Sequence, residues 1–165
     1  MKRIGLLSDT HGYLDPKIYK YFDECDEIWH AGDIGTLGVF SELDQYKPLR
    51  AVYGNIDGQD LRKVCPRDQR FFCEGVDVLI THIGGYPGRY SPKIKEELVT
   101  NPPQLFICGH SHILKVMYDK KLGFLCMNPG ACGNNGFHKV KTLLRFTIEG
   151  KDIKDLEAIE IGRRG

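Results

Sequence analysis

No apolar run in these 165 residues approaches bilayer-crossing length, and the N-terminus enters a strand-like run directly. A membrane span and a signal peptide are therefore not expected, which makes the cytoplasm the default location. An excess of one charge is missing too: 23 Lys and Arg against 22 Asp and Glu leave a net charge of +1. The basic residues are scattered, apart from Arg163-Arg164, so bulk nucleic-acid binding is not expected. None of the six cysteines stands in a C-x-x-C pair, and several interrupt apolar runs. They read as small buried hydrophobes in a reducing compartment rather than disulfide partners or zinc ligands. Cys132 is the expected exception, exposed and oxidation-prone in a Gly/Asn-rich loop. No linker, repeat or low-complexity segment divides the chain, so residues 1–165 are expected to form one domain with a core of its own.

What is present is a series of polar clusters, each closing an apolar or β-branched run. They are Asp9-Thr10-His11, Gly32-Asp33, Gly54-Asn55, Thr81-His82 and Gly109-His110-Ser111-His112. Strand-like runs fall near 2–8, 27–31, 49–53, 70–74, 76–81, 104–108, 113–119, 122–127, 141–148 and 152–161. Helical stretches are expected near 15–24, 36–46 and 91–100, the last opening on Ser91-Pro92 as N-cap and first-turn residue. The front half alternates strand and helix, as a parallel sheet requires, and the back half is rich in hairpins. An α/β fold follows, with two mixed β-sheets packed face to face as a sandwich flanked by helices.

Strand ends are where a rigid scaffold can deliver polar side chains to one point. Taken singly, each cluster is most often a turn or a satisfied histidine. Together they supply two carboxylates, four imidazoles and an amide, an inventory suited to a pair of divalent first-row metals rather than to Mg or Ca. In extended chain, residues two apart face one side, so Asp9 and His11 are expected to share an ion. Glycine before Asp33, Asn55 and His110 permits the tight turns and close approach of a crowded site. Two dications against Asp9 and Asp33 leave surplus positive charge, which favours an anionic substrate such as a phosphate ester. Metals roughly 3.5–4 Å apart also activate water and clamp both oxygens of an in-line displacement.

These motifs resemble those of the calcineurin-like metallophosphoesterase superfamily, over residues 4 to about 130. Asn128-Pro129-Gly130 and the short length are similar to its small prokaryotic phosphodiesterase branch. The resemblance implies a metal-dependent phosphodiesterase in which a hydroxide bridging two metals attacks phosphorus in line. It places Asp9, His11 and His112 on one metal and Asn55, His82 and His110 on the other, with Asp33 between them, one carboxylate oxygen to each. Mn is the foremost expectation for both ions, with Ni, Fe, Zn or Co as alternatives. Asp33, Asn55 and His82 are the implied catalytic residues, and Asn55 would also orient a phosphate oxygen.

Many members carry a histidine directly after Gly-Asn that protonates the leaving group, and this chain has Ile56 there. Activity is therefore expected to favour good leaving groups. His138 and Lys139 are expected near the substrate's outer oxygens, and Arg89, in the Gly84–Tyr90 loop, opposite a phosphate. His30 is read either as a support for Asp33 or as a structural residue, and Asp57 as a partner of a ligand histidine or a backbone turn. Substrates are expected to be small phosphodiesters or nucleotide-like molecules, and a homo-oligomer is expected by analogy alone. Two alternatives stand beside this: a phosphomonoesterase or nucleotidase, and a non-catalytic protein-binding scaffold like the small retromer subunit, which shares the resemblance.

Overall fold

Alternation along the strands builds the molecule in layers. In β1 (Lys2–Leu7) of the computed structural model, which describes residues 1–165, Ile4 and Leu6 point to one side and Leu7 to the other. β1 pairs in parallel with β2 (Glu27–His30), which pairs in parallel with β3 (Leu49–Ala51). On its other side β1 meets β11 (Val140–Glu149), which turns back into β12 (Asp152–Arg163). The first sheet therefore runs β12-β11-β1-β2-β3. The second sheet comprises β4 (Asp68–Cys73), β5 (Val76–Thr81), β8 (Leu105–Ile107), β10 (Phe124–Pro129) and β9 (Leu114–Asp119), in that order. Strands β5, β8 and β10 are its parallel centre, with β4 and β9 antiparallel at the edges.

The inner faces of the two sheets share a core of Ile4, Leu6, Trp29, Val78, Ile80, Leu105, Ile107 and Phe146, all buried. Helices cover the outer faces. α1 (Lys17–Phe22), α2 (Leu37–Tyr46) and α3 (Gln59–Arg62) bury Ile18, Phe22, Leu43 and Leu61 against Leu7 and Ile28. α4 (Pro92–Thr100) buries Ile94 and Leu98 against Leu79 and Phe106 of the second sheet. The expected sandwich of two mixed sheets with flanking helices is the observed fold. No helix is long and apolar enough to cross a membrane.

Local differences have local causes. Thr36 caps α2, its hydroxyl accepting from the Val39 amide at 3.2 Å. Pro92 occupies the first turn of α4, but the Ser91 hydroxyl makes no cap bond. α3 is a single turn, too short to carry an apolar period, and was not expected from the sequence. Gly84–Tyr90 is not a plain loop: Gly85–Tyr86 (β6) pairs with Arg89–Tyr90 (β7) as a small hairpin. Cys132 is fully buried, not exposed, because the loop after β10 folds inward and the Cys132 amide donates to Ser8 O at 2.9 Å. Burial pushes its thiol up to about 12, so it is no ready nucleophile.

Candidate metal centre

All six parallel strands end on one rim of the sandwich. The polar clusters follow five of them: Asp9 after β1, Asp33 after β2, Asn55 after β3, His82 after β5, and His110 and His112 after β8. Asn128, the penultimate residue of β10, clamps the β8 loop. Its Nδ2 donates to Gly109 O at 2.9 Å and to Ser111 Oγ at 3.1 Å.

Convergence does not come from pleat alternation. Asp9, His11, Asp33, His110 and His112 all leave extended geometry, with φ of 53, 47, 55, 70 and 63°. Asp and His tolerate this left-handed region better than most residues, yet it is uncommon and clusters at functional sites. The i, i+2 argument therefore reached the right neighbour for Asp9 and His11 through the wrong geometry. For His110 and His112 the left-handed turn parts the two side chains into different groups.

Two groups result. Donor atoms of Asp9, His11 and His112 lie within 4.8 Å of one another, as do those of Asp33, His82 and His110. Asp9 Oδ2 is held by the Ser8 hydroxyl at 2.6 Å and the His110 amide at 3.1 Å. That leaves Oδ1 facing His112 Nε2 at 3.1 Å, His11 Nε2 at 3.6 Å and His82 Nε2 at 3.8 Å. Asp33 is divided the same way. Its Oδ1 accepts from the Ile56 amide at 3.0 Å, and its Oδ2 faces His82 Nε2 at 3.1 Å and His11 Nε2 at 3.4 Å. One oxygen of Asp33, rather than one for each group, thus lies between them. Asn55 Oδ1 is 3.1 Å from His110 Nδ1, so its amide joins the second group. His82 Nδ1 donates to Ala31 O at 2.8 Å, which turns Nε2 inward with its lone pair free.

The donor set fits divalent cations on an observation independent of motif. Asp9 Oδ1, His11 Nε2 and His82 Nε2 are buried without any hydrogen-bond partner, a state that native interiors seldom tolerate. The same atoms are carboxylate oxygen and imidazole nitrogen, ligands for first-row metals. Electrostatics point the same way. Burial works to raise the Asp9 carboxyl, but the imidazoles of His11, His112 and His82 beside it outweigh burial and hold the group ionised well below the usual range. Burial pushes His82 down, yet Asp33 and Asp9 raise it above the ordinary histidine value. The carboxylates demand positive charge here, which protons or metal ions can supply.

Close approach needs two bare backbones. A Cβ on Gly54 would collide with Asp33 Oδ1, and one on Gly109 would lie 2.8 Å from Asp9 Oδ2.

The residues of uncertain role now have places. His30 is fully buried; it accepts from the Gly32 amide through Nδ1 at 3.1 Å, and its Nε2 lies 3.0 Å from Thr10 Oγ1. It ties the β1 and β2 loops together and touches neither carboxylate. Asp57 accepts from the amides of Ile34, Gly35 and Gly54 at 3.1, 2.8 and 2.8 Å, locking the loops that carry Asp33 and Asn55. His138 lies beside His112, ring centroids 5.2 Å apart, with Nε2 donating to Gly133 O and Nδ1 buried without a partner. Lys139 instead lines a separate cavity with Val140, Arg163 and Arg164, which includes none of the candidate ligands. Arg89 lines a cavity of about 460 Å³ that also includes His110. Ser8 and Asn135 were not singled out in the sequence; Asn135 Nδ2 lies 3.3 Å from His11 Nδ1. For Ser8 the available signal was its place directly before Asp9, while a loop asparagine offered none.

Residues 1–151 match the calcineurin-like phosphoesterase superfamily domain. The chain belongs to that superfamily. A probable metallophosphoesterase of Methanothermobacter thermautotrophicus is 27% identical over 135 residues, 78% of this chain and 76% of the relative. An archaeal phosphodiesterase of known structure superposes with a TM-score of 0.76 at 23% identity, covering 96% of this chain and 99% of the other. Vps29 of Chaetomium thermophilum superposes with a TM-score of 0.75 at 14% identity, covering 99% and 100%. At such identities the two structures are similar in fold alone. Superfamily membership supports a phosphoesterase, and the His/Asp groups could hold divalent metal ions.

Proposed function

We propose that this superfamily member is a phosphodiesterase working with a pair of divalent metal ions, Mn foremost and Ni, Fe, Zn or Co as alternatives. The observation that carries the reading is the trio of buried, unpartnered atoms, Asp9 Oδ1, His11 Nε2 and His82 Nε2, facing one small volume. Asp9, His11 and His112 would hold one ion; Asn55, His82 and His110 the other; Asp33 Oδ2 both. When bound, such ions supply Lewis acidity and bring the ionisation of water into the neutral range.

The chain's own residues do the rest. Asn55 is exposed at the mouth of the site, and its Nδ2 can donate to a non-bridging phosphate oxygen as charge develops there. Arg89 offers a guanidinium without a carboxylate partner for the substrate's outer oxygens, whereas His138, with Nε2 donating to Gly133 O and Nδ1 buried, has no proton to give them in this arrangement. Ile56, 48% exposed, provides no proton for the departing oxygen. Hydrolysis consumes one water: its oxygen bonds to phosphorus, one P–O ester bond breaks, the departing oxygen takes a proton, and a phosphomonoester remains.

A second reading, a protein-binding scaffold, is favoured by one feature. The edge strand β9 and the residue before it expose Ile113, Leu114, Val116, Met117 and Tyr118. Turnover of an aryl phosphodiester with Mn²⁺, with and without chelator, separates the two readings. Chelator-sensitive hydrolysis that Asp33→Asn abolishes supports the enzyme. Absence of metal-dependent turnover on diesters, monoesters and nucleotides alike leaves the scaffold.

A further inference from the structure

Two cavities of opposite chemistry reach the second ligand group. The larger, about 460 Å³, runs from His110 under the β6–β7 hairpin, with Tyr86, Tyr90, Ile113 and Met127 among its walls. The smaller, about 360 Å³, starts at Asn55 and His82 and is lined by Arg62, Arg67 and Lys93. Ile83, 39% exposed, lines both and forms the ridge between them. His82 and His110, one on each side of that ridge, have ring centroids only 5.3 Å apart. A single phosphodiester at the metal ligands can therefore send one ester arm into each cavity.

The cations of the smaller cavity are not equivalent. Arg67 is paired with Asp68 at 2.7 Å, and Asp68 also takes the Thr81 hydroxyl at 2.6 Å, so that charge is spent locally. Arg62 is held rigidly: its Nε donates to Asp57 O at 2.7 Å, and its guanidinium lies 4.6 Å from the Tyr53 ring centroid. Its terminal nitrogens have no partner, and Lys93 has no carboxylate beside it. A preorganised guanidinium with a free ammonium across a cavity is a receptor for a second anion. The larger cavity also has two cations, Arg89 and Lys115, but no hydrogen bond fixes the Arg89 guanidinium, Lys115 Nζ lies 4.5 Å from the centre of the Tyr86 ring, and the walls between them are apolar and aromatic. A planar aromatic group suits it.

We propose that the substrate is an asymmetric phosphodiester, with a planar aromatic group on one ester arm and a terminal phosphate on the other, the phosphate held by Arg62 and Lys93. This rests on the phosphodiesterase reading and names its substrate class. The probes are two p-nitrophenyl phosphodiesters whose second arm is methyl or 2-phosphoethyl, hydrolysed by the Mn²⁺-loaded full chain. The phosphoethyl ester is expected to have a kcat/KM about tenfold higher, through KM, as a charge-assisted contact to each cation allows. That ratio falls to near one in the double variant Arg62→Met, Lys93→Met. Lys93→Met alone, at an exposed position, lowers it partway and guards against a folding defect at Arg62. In the larger cavity, Tyr86→Ala raises KM for both esters without changing their ratio. A wild-type ratio near one, or a ratio the double variant leaves intact, overturns the proposal. If no diester is turned over, the phosphodiesterase reading fails separately. Calorimetric binding of the phosphoethyl ester then decides the anion site: about tenfold weakening in the double variant supports it, and equal affinity removes it.

Discussion

Gly54 lies directly against Asp33: a side chain at Gly54 would occupy the space of Asp33 Oδ1 and crowd the Asp33 amide. The Asp33 carboxylate can keep Oδ1 on the Ile56 amide and Oδ2 between the two imidazoles only because this neighbour has no Cβ. Gly54→Ala is therefore expected to displace that oxygen by about 1 Å. Activity should fall by about 100-fold, as small misplacements of reacting groups do. Bound metal should drop while the melting curve stays cooperative. Elemental analysis beside turnover checks this, and full metal content with full activity would refute the close-contact argument.

Asp57 acts through backbone rather than through substrate. Replacing it with Ala orphans three amides, those of Ile34, Gly35 and Gly54. Denaturant unfolding should report a loss of about 3–5 kcal/mol. Metal affinity should weaken as well, because the loops bearing Asp33 and Asn55 lose their tie. Asp57→Asn keeps one acceptor oxygen and should be milder in both respects. A loss under 1 kcal/mol for the alanine variant would show that the loops hold without it.

His30 makes stability depend on pH. Burial holds its pKa down at about 4, against 6.5 for a free histidine. The folded state thus keeps it neutral while the unfolded chain binds a proton between these values. Stability from this group is complete above pH 6.5 and declines as pH falls from 6.5 toward 4. The difference of about 2.5 units is worth roughly 3 kcal/mol. His30→Gln, compared with the parent by denaturant unfolding across that range, should show a shallower slope. Parallel curves would mean that His30 is charged in the fold.

Ile56 predicts the leaving-group profile. With no acid beside the departing oxygen, rates on aryl diesters should fall steeply as the phenol pKa rises. Ile56→His should recover about 10–100-fold on alkyl diesters and gain little on nitrophenyl esters. A rate independent of leaving-group pKa would place a proton donor elsewhere.

Asp15 and Lys141 form a buried ion pair at 2.8 Å between the start of α1 and β11. Burial acts to raise the Asp15 carboxyl, but hydrogen bonds from Lys141 and the Lys17 amide prevail and lower its pKa. Its contribution is present above the free value of 3.8 and is lost as pH falls through the lowered one. Lys141→Met should destabilise by about 3–5 kcal/mol at neutral pH, because it strands a buried charge. Asp15→Asn with Lys141→Met should restore part of that loss in a double-variant cycle, and additive losses would argue against coupling.

Pattern along the chain was enough for the sandwich of mixed sheets. Period-two burial and strand–helix alternation are local consequences of apolar surface seeking cover, and they persist in one dimension. The same holds for the candidate ligands, because strand ends deliver side chains wherever the sheets are stacked. The division of those ligands into two groups needed three dimensions. It depends on left-handed turns at Asp9, His11, Asp33, His110 and His112, and on which oxygen of each carboxylate the Ser8 hydroxyl and the His110 and Ile56 amides had already claimed. Burial of Cys132, the place of Lys139 in a separate cavity and the presence of Arg62 and Lys93 on the walls of one cavity are likewise tertiary outcomes. Each is set by how loops from separate strands pack on one another, and no neighbour in sequence carries that information.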